Sequence, residues 1–146
     1  MDQKVNFNDD LSSWDVYNVT SMFSTFRNAE SFNQTINEWD VSNVETMAGL
    51  FQYANSFNKP LGRGDVSNVK TMEFMFHEAD DFNQPIGNWD ISNVKSLVWM
   101  FKECSFNQDI TAWDLSSVTN ISGMFSDNSY FNQDISTWNV SNVESM

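Results

Sequence analysis

The chain of 146 residues is short of the groups that do chemistry: it has one cysteine, Cys104, and one histidine, His77. A lone thiol excludes an internal disulfide framework and leaves the redox compartment open. Bases are scarce as well, 7 Lys and Arg against 20 Asp and Glu, for a net charge of -13. Phosphate backbones are bound with cations, so no nucleic-acid partner is expected. No apolar run approaches the ~18 residues of a membrane span, so no membrane insertion is expected, and MDQKVNFNDD has no signal-peptide pattern. No Pro/Ser-rich linker breaks the composition. What is abundant is apolar and aromatic: 13 Phe, 6 Trp and 8 Met are too many for a disordered chain. The length suits one domain, 1–146, with a sizeable core.

The dominant signal is repetition. The phrase Phe-Asn-Gln-x-Ile and its variants begin at Phe7, Phe32, Phe57, Phe82, Phe106 and Phe131, at spacings of 25, 25, 25, 24 and 25 residues. Seven residues after each Phe comes Trp-Asp-Val-Ser-Asn-Val, headed by Trp14, Trp39, Gly64, Trp89, Trp113 and Trp138. A third phrase, x-x-Met-x-x-Met-Phe, closes the unit, and the sixth unit stops at Met146. A fixed period of this size, too short for a propeller blade, predicts a solenoid in which each unit buries its apolar face on its neighbours.

Numbered from the Phe, positions 13, 16, 19, 20 and 23 are apolar or small, as in Val69, Met72, Met75, Phe76 and Ala79. That spacing predicts one helix per repeat over positions 13 to 23, N-capped by Ser or Asn at positions 11 and 12. Phe-Asn-Gln-x-Ile is too brief for a helix and reads as one extended rung, ending by position 4, where Pro60 and Pro85 lack an N–H. The fold class expected from the residues is therefore an α/β solenoid of about six 25-residue repeats, one short strand and one short helix each. Asn recurs at position 2 in Asn8, Asn33, Asn58, Asn83, Asn107 and Asn132, which predicts a structural ladder satisfying backbone groups.

The compound motif FNQDISTWNVSNVESM and its siblings resemble the BspA-like leucine-rich-repeat surface proteins, whose unit is a 26-residue bacterial surface repeat of unknown function. The resemblance covers Phe7 to Met146. It implies a right-handed, leucine-rich-repeat-like coil, adhesion or protein binding, and no shared catalytic residues. It also implies a cell-surface or extracellular setting, since relatives occur on bacterial surfaces, in mycoplasma lipoproteins, and in large DNA viruses and protists. The sequence departs from the pattern at Gly64, at a one-residue deletion near Cys104, and at Asn128 in the small position.

Candidate sites are few. His77 at position 21 is expected to point outward and Cys104 inward, so the two do not form a nucleophile and base. Asp15, Asp40, Asp65, Asp90 and Asp114 form a column at position 9. It could bridge calcium, but the reading preferred is that each Asp holds its own turn. Gly64 should leave a dent between Trp39 and Trp89, closed by repacking, by Arg63, or by a partner side chain. Position 18 is predicted to face outward, placing Phe74 and Trp99 side by side with Val98 flanking. The alternative is a phase slip that tucks them inward. Phe74, Trp99, Val98 and Arg63 are thus the expected partner-binding residues. No catalytic group, metal cluster or cofactor site is expected, and the chain reads as a non-enzyme. The expected function is a repeat scaffold for protein–protein interaction or adhesion. Self-association end to end and glycan binding are the alternatives.

Overall fold

Equivalent positions of successive repeats lie in register in a computed structural model, which describes residues 4–62 and 64–146. Each repeat forms one coil of chain, and the backbone sets the stacking. Position 15 makes a parallel bridge to position 15 of the next coil, from Ser21 through Thr46, Thr71, Ser96 and Asn120 to Ser145. Beyond the bridge every second N–H donates to the next coil. In the third coil these bonds run from Met72 to Ser96 O, Phe74 to Val98 O, Phe76 to Met100 O and Glu78 to Lys102 O, at 2.8 to 3.2 Å.

The intervening N–H groups close turns within the coil. Met75 donates to Met72 O at 3.2 Å and Ala79 to Phe76 O at 3.1 Å, so positions 16–19 and 20–23 are two successive four-residue turns. The third residue of each turn is left-handed. At position 18 these are Ser24, Gly49, Phe74, Trp99 and Gly123, and at position 22 Asn28, Tyr53, Glu78, Glu103 and Asp127, all with φ between 51° and 63°. A positive φ at the third residue is the mark of a type II turn.

These bonds correct the expected fold class. Among the described residues there is no helix, and extended pairing is confined to isolated bridges. The chain is therefore not an α/β solenoid with a strand and a helix per repeat, the leucine-rich-repeat-like architecture that the resemblance also implied. A left-handed residue at every fourth position cannot continue an α-helix. The apolar stripe is nevertheless buried, because two four-residue turns return positions 16, 19, 20 and 23 inward at nearly the helical period. The bridge also falls at position 15 and not in the Phe-Asn-Gln stretch.

That stretch is held by side chains. Asn33 N–H donates to Asn8 Oδ1 at 2.9 Å, and the same bond joins Asn58 to Asn33, Asn83 to Asn58, Asn107 to Asn83 and Asn132 to Asn107, at 2.9 to 3.1 Å. The following Gln adds a second donor to the same oxygen: Gln84 Nε2 to Asn58 Oδ1 at 2.8 Å, and Gln108 Nε2 to Asn83 Oδ1 at 3.1 Å. At position 12 the expected helix caps do different work, since Asn43, Asn68, Asn93 and Asn142 each donate to a carbonyl of the preceding coil at 2.7 to 2.8 Å.

Two columns of phenylalanine fill the interior. Position-1 rings stack from Phe7 to Phe131 with centroids 5.8 to 6.3 Å apart. Position-20 rings stack from Phe26 to Phe125 at 5.5 to 5.8 Å. The columns touch each other at 3.7 to 4.1 Å. Full burial of each ring is worth roughly 1.5–3 kcal/mol. The Trp column lies beside them, with indole Nε1 donating to position 5 of the preceding coil: Trp39 to Leu11 O, Trp89 to Leu61 O, Trp113 to Ile86 O and Trp138 to Ile110 O, at 3.0 to 3.2 Å.

Candidate functional site

Position 18 builds the surface. Phe74 and Trp99 are neighbours in adjacent coils, edge to face, with ring centroids 5.5 Å apart. Trp99 is 39% exposed, while Phe74 and Val98 are half-buried, so the aromatic pair faces outward and is not tucked into the core. Lys102 Nζ sits 4.9 Å from the Trp99 ring centroid, a cation over the indole face. The indole also lies against Gly123, where an added Cβ would come within 2.7 Å of Trp99 Cδ1. Glycine at 123 is thus favoured by its φ of +58° and required by the indole against it. A shallow groove continues the surface toward the first coil, lined by Phe23, Ser24, Arg27, Gly49, Gln52 and Phe74. Arg63, the remaining expected partner-binding residue, lies outside the described residues.

His77 does not point outward, contrary to the expectation for position 21. It is 4% exposed, roofed by Tyr53, Phe74 and Trp99 at centroid distances of 5.3, 6.3 and 5.6 Å. Burial, and then the Lys102 charge, hold its imidazole below the usual range. One ring nitrogen, Nδ1, lies 3.0 Å from Gln52 Nε2, and the other lies 3.4 Å from Glu78 Oε1. Glu78 is held above the usual carboxylate range, chiefly by burial and then by Glu103. Glu103 pairs with Lys102. Cys104 is buried, its Sγ donating to Phe101 O at 3.4 Å, and burial pushes its thiol up to about 12. A thiol that stays protonated at neutral pH offers no nucleophile.

The position-9 acids each hold a turn. Asp15, Asp40, Asp65, Asp90 and Asp114 accept from the N–H two residues on at 2.8 to 3.1 Å, and Asn139 does the same in the last coil. The missing indole leaves a cavity of about 40 Å³ at Gly64, bounded by Ile36, Trp39, Val41, Phe51, Met75 and Trp89. This is far below the ~150 Å³ of a cavity that accepts benzene, so the neighbours have closed over most of the space.

The family described as "Mycoplasma protein of unknown function, DUF285" matches this chain over residues 1–105 and again over residues 85–146. The chain belongs to that family. No curated protein matches it. No solved structure matches it. The two overlapping matches reflect the same periodicity that stacks the coils. Within this DUF285 chain, the residues missed by sequence reasoning are Gln52, Glu78 and Glu103. Glu78 and Glu103 share position 22 one repeat apart, a signal present in the sequence but hidden by the expectation of a helix on which His77 points outward.

Proposed function

We propose that this chain is a non-enzymatic interaction scaffold whose surface at Phe74, Trp99 and Val98 binds a protein partner. The observation that supports this reading is a pair of adjacent, partly exposed aromatic rings carried on left-handed turn residues. Phe74 and Trp99 have φ of 58° and 53°, where the second and fifth coils carry Gly49 and Gly123. A bulky left-handed residue costs roughly 1–2 kcal/mol, and such costs collect at functional sites. Fold stability alone favours glycine at both positions. Two aromatic rings retained there, next to each other and partly exposed, have the composition of a binding hot spot. The resemblance of the repeat to BspA-like surface proteins supports an adhesive use, with the chain displayed at a surface.

The test compares the wild type with a Phe74→Ser/Trp99→Ser chain on a panel of immobilised surface proteins, with a glycan array and sedimentation velocity run in parallel. The expected result is binding to a protein that weakens at least roughly tenfold in the variant, as loss of a hot spot does. Equal binding by both chains removes the patch. Binding confined to glycans, or loss of self-association alone, replaces the reading with one of its alternatives.

A further inference from the structure

We propose that His77, Glu78 and Glu103 form a binding site for a single zinc-like divalent cation between the third and fourth coils. One donor atom from each lies within 4.8 Å of the other two. The backbone brings them together: Glu78 N–H donates to Lys102 O at 3.0 Å, which places the two position-22 residues, both left-handed, one above the other. The burial of the imidazole is a second observation. His77 is 4% exposed, and its Nε2 is buried without a hydrogen-bond partner, facing the Glu78 carboxylate at 3.4 Å. A buried polar nitrogen without a partner is rare and costly, and a metal ion is one of the few groups that satisfies it.

The donor set selects the ion. One imidazole nitrogen and two carboxylates suit zinc, which takes N and O ligands at about 2.0–2.2 Å, whereas calcium and magnesium prefer oxygen throughout. Tetrahedral ligands at those lengths sit about 3.3 Å apart. The His77–Glu78 pair is already at that separation, and the exposed Glu103 side chain reaches the ion by rotation. Lys102 pairs with Glu103 Oε1, so the ion takes the other carboxylate oxygen. Ligation through Nε2 requires a proton on Nδ1, and a half-turn of the Gln52 amide presents Oε1 to accept it. An outer acceptor on the far nitrogen is the usual support of a histidine ligand. The fourth position is left to water. Because the His77 ring contacts Phe74 and Trp99, the ion would also fix the floor beneath them.

His77 is the chain's one histidine, which makes the experiment unambiguous in an untagged protein. Zinc is titrated into the wild type and a Glu78→Gln/Glu103→Gln variant, with equilibrium dialysis for affinity and nitrogen NMR for the imidazole. The expected result is one zinc per wild-type chain, a shift of the His77 Nε2 resonance, and affinity at least roughly tenfold weaker in the variant. Gln matches Glu in size and shape at both positions, so folding is preserved. Zinc that leaves the His77 resonance unmoved, or that binds both chains equally, overturns the site.

Discussion

At the scale of single residues, the asparagine ladder carries a sharp energetic asymmetry. Asn83 Oδ1 accepts from both Asn107 N–H and Gln108 Nε2, and removing it leaves two donors without that partner. Asn83→Ala should therefore cost about 1–3 kcal/mol in chemical denaturation. Asn83→Asp keeps an acceptor of the same shape and should cost less. Equal losses for the two variants would show that the amide nitrogen, not the oxygen, matters. The two classes of Trp should separate just as clearly. Trp89 is buried with its Nε1 bonded, so Trp89→Ala should cost about 3–5 kcal/mol. Trp99→Gly gives up ring contacts but relieves a left-handed Trp, and should lie within about 1 kcal/mol of wild type. A loss at Trp99 as large as that at Trp89 would make it a core residue and remove the strain argument.

At the scale of the turn, the position-9 carboxylates link the fold to acid. Asp40 and Asp90 are held below the usual carboxylate range by the side chains and then the N–H groups of Ser42 and Ser92, and Asp114 by the N–H of Ser116. A carboxyl whose folded pKa is depressed contributes stability above its unfolded value, and that stability is lost as pH falls through the folded one. The melting temperature should therefore drop below about pH 4. Asn139 makes the same bond without titrating, so an Asp40→Asn/Asp90→Asn/Asp114→Asn chain should show a shallower acid limb at unchanged geometry. An identical limb would place the acid sensitivity elsewhere. This is also the scale at which sequence reading fell short. The apolar spacing at Met72, Met75, Phe76 and Ala79 gave the buried stripe, yet two four-residue turns and a helix return side chains at nearly the same interval. Only the sign of φ separates them. Gly49 and Gly123 at position 18 hinted at it, but Phe74 and Trp99 masked the signal. His77 was misplaced for the same reason, since its burial follows from the turns and the rings over it, not from helical phase.

At the scale of the whole molecule, the stack depends on short-range order within a strongly anionic shell. The period, the Phe columns and the Asn ladder were legible because each is a one-repeat relation that survives any choice of local conformation. Charge follows no such rule. The position-9 column sets carboxylates one above another, and Asp90 acts on Asp114. Against 20 acids stand 7 Lys and Arg, some of them paired, as Lys70 is with Glu45 at 2.7 Å and Lys102 with Glu103. Exposed pairs contribute at most about 1 kcal/mol each, whereas self-repulsion of a net charge of -13 acts across the array. The Debye length falls from about 30 Å at 0.01 M salt to about 3 Å at 1 M, so added salt should damp repulsion between coils well before the core is affected. The melting temperature should thus rise with added sodium chloride, and equally with potassium chloride. A melting temperature that falls with salt would mean that the few ion pairs outweigh the excess of carboxylates. A rise with sodium chloride but not potassium chloride would point to a bound ion in place of general screening.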